Sequence, residues 1–213
     1  MNGLLTKDFL IIKGQKNTML IVVLTSIIMA FSFDTSVLVI YATILGSILS
    51  LGTVSYDEFD NGFAYLFTLP VSRKTYVREK YLFSLCGCIA FMLVGFVLAA
   101  ILSLFKQTSI DILSSGLSSM FAGIIMISIM IPLRLKYGSE KSRIALFVVY
   151  GVIALALFTG KSILESLGMK EAVLQTIVNA NTGVIITCII IIAIVVFVLS
   201  EKISEKIMEN KEY

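Results

Sequence analysis

The sequence predicts an all-α membrane protein. Six transmembrane helices follow a helix lying at the membrane surface, and a further short helix stands between the second and third spans. Composition, the spacing of the apolar stretches and the placement of charge carry that prediction. Of the 213 residues, 58% are hydrophobic and only 15% are charged, with a mean hydropathy of +0.99. A soluble domain carries about 25% charged residues, because it must cover its core with a wetted surface. This chain lacks that cover, and lipid is the natural solvent for the excess.

A bilayer core of ~30 Å needs roughly 20 apolar residues in helix, with about 17 to 25 as the working range. Six stretches meet or nearly meet that length: 18–33, 35–54, 81–105, 112–133, 144–160 and 182–200. The first and fifth are short and need flanking residues or a locally thinner bilayer. The break between the first two rests on Phe33-Asp34-Thr35-Ser36 alone. Without it, one long helix would replace two, and the chain ends would lie on opposite sides.

Charge sets the orientation. On the six-span reading, residues 1–17, 55–80, 134–143 and 201–213 share one side. They hold every one of the 17 basic residues except Lys106, Lys161 and Lys170. Cytosolic loops carry the Lys/Arg excess, so both termini are expected inside. The net charge of +3 is too small to suggest a nucleic-acid binder.

The spans carry no acid or base near their middles; Asp34, Lys106 and Asp111 all lie at ends. Ion- or proton-coupled transporters usually need such groups at depth, so energy is expected from elsewhere. Small residues recur at a spacing of four instead: Ala42, Gly46 and Ser50 on one face, Ser115, Ser119 and Gly123 on another. Such faces let helices approach closely, either within the bundle or at a subunit interface. Cys86, Cys88 and Cys188 all lie in apolar runs, where a thiol behaves as a small hydrophobe. The N-terminus lacks the small-x-small cleavage pattern of a secretory signal, so the first span is expected to stay in the mature protein.

Two features are expected on the cytosolic side. Residues 4–13, Leu4-Leu5-Thr6-Lys7-Asp8-Phe9-Leu10-Ile11-Ile12-Lys13, read as an interfacial helix along the inner leaflet. In the loop 56–70, Asp57 and Glu58 suit the positive N-terminus of a helix. Phe59, Phe63, Leu66 and Phe67 then share one face, with Asp60 and Asn61 pointing away. Pro70 ends that helix, and Ser72 is placed to cap the next one. An aromatic stripe here either dips into the headgroup layer or docks in a partner's groove.

This arrangement resembles the permease subunits of type-2 ABC exporters, particularly the small bacterial ones that export antimicrobial or amphipathic peptides, such as the phenol-soluble-modulin exporter. Asp57-Glu58, the aromatic helix and Leu69-Pro70-Val71-Ser72-Arg73-Lys74 carry the likeness, with Tyr76 and Lys80-Tyr81 leading into the third span. The resemblance implies a single transmembrane domain over 1–213 with a coupling helix at 56–70, an outer-side helical segment at 162–178 and a cytosolic tail at 201–213. It implies a bacterial cytoplasmic membrane, a cytosolic ABC ATPase on a separate chain and a second permease copy, either identical or a sister. The coupling helix would pass the ATPase's motion into the spans. Asp57, Glu58 and Pro70 would bound it, and Phe59, Phe63, Leu66 and Phe67 would form its anchoring face. Arg73, Lys74 and Arg78 would meet either the ATPase or anionic lipid.

Other signals carry less. Gly160-Lys161-Ser162 resembles the end of a phosphate-binding loop, but the Gly required five residues earlier is Leu155. Cys86-x-Cys88 lacks second ligands, and the chain has no His, so no metal site or acid–base constellation is expected. ATP and Mg belong on the partner ATPase. The tail, with Ile203 and Ile207 among alternating Glu and Lys, reads as a solvated extension or a further partner contact. The function expected is therefore export of amphipathic peptide or other hydrophobic cargo, with membrane lipids but no nucleic acid as further partners. The alternatives are a non-transport immunity or scaffold subunit, or a membrane enzyme, which the missing His and buried acids oppose.

Overall fold

The computed structural model describes residues 2–32, 35–59, 62–68, 70–106, 112–166 and 182–211. Among them every regular element is helical: α1 (Asn2–Gly14), α2 (Lys16–Ser32), α3 (Thr35–Glu58), α4 (Gly62–Leu66), α5 (Arg73–Lys106), α6 (Ile112–Ser166) and α7 (Thr182–Glu209). The hairpin residues Phe33 and Asp34, the loop residues Asp60 and Asn61, and 167–178 of the expected outer-side segment lie outside the described residues.

Four helices are long and apolar enough to cross a membrane, within α3, α5, α6 and α7. A fifth candidate is α1 with α2, a pair bent by 67°. The six spans expected from the sequence thus correspond to four or five such helices among the described residues. Length accounts for part of the difference. At 1.5 Å per residue, the 17 residues of α2 reach only about 26 Å, short of a ~30 Å hydrocarbon core. The fourth and fifth expected stretches both lie in α6, which is two helices joined at Gly138, where φ is 79°. That positive φ favours glycine, and a Cβ there would also stand 2.3 Å from the Glu58 carboxylate.

The bundle has two unlike ends. Near one, Leu38 and Val39 of α3 pack on Ala99 and Leu102 of α5. At the other, a larger core gathers Leu51, Val54, Phe63, Tyr76, Tyr81, Ile131, Leu135 and Met208, drawn from α3 to α7. Between them small residues set the spacing. A Cβ on Gly95 would lie 3.1 Å from the Val39 Cα, and one on Gly123 would lie 2.3 Å from the Cys88 sulfur. The small faces containing Ala42, Gly46, Ser50, Ser115 and Ser119 are accordingly consumed by packing within the chain, where Ala42, Ser50, Ser115 and Ser119 are all buried. Outward, α7 presents Ile190, Ile191, Ile192 and Ile194, each 43% or more exposed; a contiguous apolar flank of this kind needs hydrocarbon beside it.

Polar atoms inside this apolar body are matched across helices. Pro132 has no N–H, so the Ser128 carbonyl one turn earlier loses its helical donor. Ser200 of α7 replaces it, its hydroxyl donating to that carbonyl at 2.6 Å. With its one proton so used, Ser200 accepts from the Tyr81 hydroxyl at 2.6 Å. The same hydroxyl lies 2.8 Å from Ser204, and the chain of bonds ties α5, α6 and α7.

Candidate functional site

The sequence places the chemistry at the basic end of the bundle, where the end of α3, the loop after it and the start of α5 meet. Asp57 and Glu58, expected to open a helix, instead close α3. The helix expected over 56–70 is divided: α3 runs to Glu58, and a separate short helix, α4, spans Gly62–Leu66. A carboxylate at a helix C-terminus opposes the macrodipole, but cations from two other helices outweigh that. Lys7 of α1 and Lys80 of α5 both pair with Asp57, Lys80 at 2.7 Å. The Tyr76 hydroxyl donates to the same carboxylate at 3.0 Å.

Lys80 also pairs with Asp8 of α1 and donates to the Thr53 hydroxyl at 3.1 Å, while Thr53 donates to Asp8 at 3.0 Å. Asp8 and Lys80 are sealed, at 0% and 1% exposure. Glu79 is equally buried, and neither of its carboxylate oxygens has a hydrogen-bond partner. The result is a dry clasp fastening α1 and α5 to the end of α3. Breaking such a pair leaves an uncompensated buried charge.

Above the clasp, α4 turns its anchoring side inward. Phe63 is 4% exposed and Leu66 8%. Phe63 stacks on Phe67 at 6.3 Å, and both meet the Tyr76 ring edge-on, at 5.7 and 6.0 Å. Gly62 permits this close return, since a Cβ there would stand 2.5 Å from the Asp57 carbonyl oxygen. The outward side carries different rings. Tyr56, Phe59 and Tyr65 are 56%, 73% and 73% exposed. The single aromatic face expected from the sequence is therefore split, with Phe63 and Leu66 in the core, Phe67 half-buried and Phe59 outside.

The basic residues that follow are held by the tail. Ser72 caps α5, its hydroxyl accepting the Thr75 N–H at 3.1 Å, and Pro70 stands exposed before it. Arg73 donates to the Glu209 carbonyl at 2.6 Å and to the Met208 carbonyl at 3.2 Å. Carbonyls in the last turn of a helix take such donors from outside the helix. Lys74 pairs with Glu209 at 3.2 Å, and Arg78 with Glu205 at 3.0 Å and Glu201 at 3.7 Å. Within 201–211, Ser204 and Met208 are fully buried, so the segment is packed against its own chain rather than extended into solvent. Glu58 reaches the other way, accepting the Ser139 N–H at 2.7 Å and the Ser139 hydroxyl at 2.6 Å. It thereby caps the helix that restarts after Gly138.

Of the sequence-predicted residues, the fold thus gathers Asp57, Phe63 and Leu66 into one buried unit, with the half-buried Phe67 packed against it. It sets Phe59 on the surface, and sends Glu58 to α6 and Arg73, Lys74 and Arg78 to α7. Sequence reasoning missed Lys7, Asp8, Thr53, Tyr65 and the pairing of Lys80. The available signal was Asp8, the one acid of α1, followed directly by the apolar run Phe9-Leu10-Ile11-Ile12.

Apolar flanks around a bundle whose charges collect at one end define a multi-pass membrane protein. The family model described as ABC-2 family transporter protein matches residues 3–209, and the chain belongs to that family. No curated relative and no solved structure matches it. Permeases of this family are the membrane components of transporters, and they generally work with an ATPase partner.

Proposed function

We propose that this chain is the membrane-spanning permease subunit of an ATP-driven exporter, worked from the cytosol by a separate ABC ATPase. The ATPase docks on the rings of Phe59 and Tyr65. Family membership supports the transporter class, and the excess of Lys and Arg at the basic end supports its cytosolic orientation. The observation that carries the docking surface is the pairing of exposed rings with a rigid mount. Phe59 and Tyr65 are each 73% exposed, while Phe63 and Leu66 of the same segment are buried, and Asp57 beside them is held by two lysines. A push on the rings passes directly into α3 and α5. Two copies act together, and the cargo is an amphipathic or antimicrobial peptide or another hydrophobic molecule.

Co-expression with the cognate ATPase and pull-down from solubilised membranes tests this. Phe59→Asp combined with Tyr65→Asp should leave the permease inserted and weaken ATPase capture about thirtyfold, the effect of losing roughly 2 kcal/mol at an interface hot spot. Capture at the wild-type level would instead assign these rings to the lipid headgroup layer.

A further inference from the structure

A groove of about 620 Å³ lies between α2, α3 and α6, and the Tyr56 and Phe59 rings of the surface just described form part of its lining. Val22, Leu45, Ile48 and Leu49 form its apolar wall, and Arg134 and Arg143 also line it. The two characters are separated along α3. Arg134 donates to the Leu51 carbonyl and to the Ser55 hydroxyl, the latter at 3.2 Å; Leu45 lies ten residues, about 15 Å of helix, from Ser55. The groove is therefore amphipathic: two arginines lie toward the basic end of the bundle, together with the rings of Tyr56 and Phe59, and aliphatic side chains line it toward the middle.

The arginines are not neutralised there. Arg134 is only 9% exposed, and its Nε has no hydrogen-bond partner. Neither arginine forms an ion pair among the described residues. Arg143 lines the same groove, and the Glu58 carboxylate accepts its hydrogen bonds from Ser139 rather than from either arginine. A buried guanidinium with an idle N–H, a second guanidinium close by and an adjoining apolar wall are complementary to a phosphate joined to a hydrocarbon chain.

We infer that this groove binds one anionic phospholipid from the leaflet at the basic end, its phosphate on Arg134 and Arg143 and an acyl chain along Val22, Leu45, Ile48 and Leu49. The same leaflet supplies such lipids in quantity when that end is cytosolic. The site shares Phe59 with the ATPase-docking surface, but its test contains no ATPase, so the two readings fail independently.

The full-length chain in detergent, titrated with dioleoyl phosphatidylglycerol or dioleoyl phosphatidylcholine under native mass spectrometry, reads the site directly. Phosphatidylglycerol should be retained in preference to phosphatidylcholine, and glycerophosphoglycerol, the headgroup without chains, should not be retained. Arg143→Gln, at an exposed position, should weaken retention about fivefold, as expected for one basic residue at an anionic lipid. Gly52→Leu should abolish it by occupying the groove. Gly52 lines the groove, and a Cβ there meets nothing within 4 Å, so this variant fills space without displacing the fold. Lys74→Gln, a charge loss elsewhere at the same end, should change nothing. Equal retention of the two lipids, or undiminished phosphatidylglycerol binding by both groove variants, overturns the assignment. So does lipid absent from a dimer peak, which would seat a second copy on this face, or displacement by an anionic amphipathic peptide, which would make the groove a cargo site.

Discussion

Lys74 and Lys80 stand less than two turns apart on α5, and each pairs with a carboxylate from a distant part of the chain. Lys74 and Glu209 are 57% and 47% exposed; Lys80 and Asp57 are 1% and 6% exposed. The chemistry is the same and the surroundings are opposite. In water the first pair is screened and its long side chains lose entropy in meeting. In the dry clasp the second pair is screened little, yet both ions have given up hydration. Burial raises the cost of breaking a pair far more than it raises the benefit of making one. The clasp therefore acts as a fastening that specifies how α1 and α5 meet α3, whereas the α5–α7 flank is a trimmed surface.

That contrast is open to test in descending order of effect. Lys80→Met should destabilise the protein by about 3–5 kcal/mol, because the buried Asp8 and Asp57 would share Lys7 as their one remaining cation among the described residues. Thermal unfolding in detergent, followed by helical circular dichroism, should record the loss, and adding Asp8→Asn should restore part of it. If Lys80→Met melted like the wild type, the clasp would not be a fastening. Gly62→Ala comes next, at about 1–3 kcal/mol, since the added methyl meets the Asp57 carbonyl oxygen at 2.5 Å and the segment must shift. Its melting curve measures how firmly α4 is seated over the clasp. The smallest effect belongs to Lys74→Ala, at less than about 1 kcal/mol. A larger loss there, or one that does not shrink with added salt, would mean that the exposed flank is as structural as the buried clasp.

A second contrast lies within one short segment. Phe59 and Phe63 are four residues apart and read from the sequence as neighbours on one helical face. They separate because α3 carries on to Glu58 and α4 starts afresh at Gly62, which breaks the helical register between them. Phe63→Asp therefore strikes the packing against Phe67 and Tyr76, whereas Phe59→Asp reaches only the surface.

How much was legible follows from the kind of interaction involved. The membrane class came from composition, because no arrangement of 58% hydrophobic residues can wet its own surface. The start of α5 could be read from local rules: a Ser72 cap, a proline before it, and charges gathered beyond the apolar runs. Asp8 and Lys80 were visible as letters, but their meeting was not. They are 72 residues apart, and no periodicity within either helix encodes the other. The same holds for Glu58, which local reasoning assigned to a helix N-terminus on the correct principle but in the wrong helix. It caps the second half of α6 instead of a helix of its own.

Local chemistry thus determined that the chain would be helical, apolar and charged chiefly at one end, since hydropathy, caps and breakers act over a few residues and are written in order. Which charges are buried, which rings face outward and where two arginines share a groove were decided when the helices came together. Burial and pairing are properties of surfaces drawn from separate parts of the chain, and they come into being only once those surfaces touch.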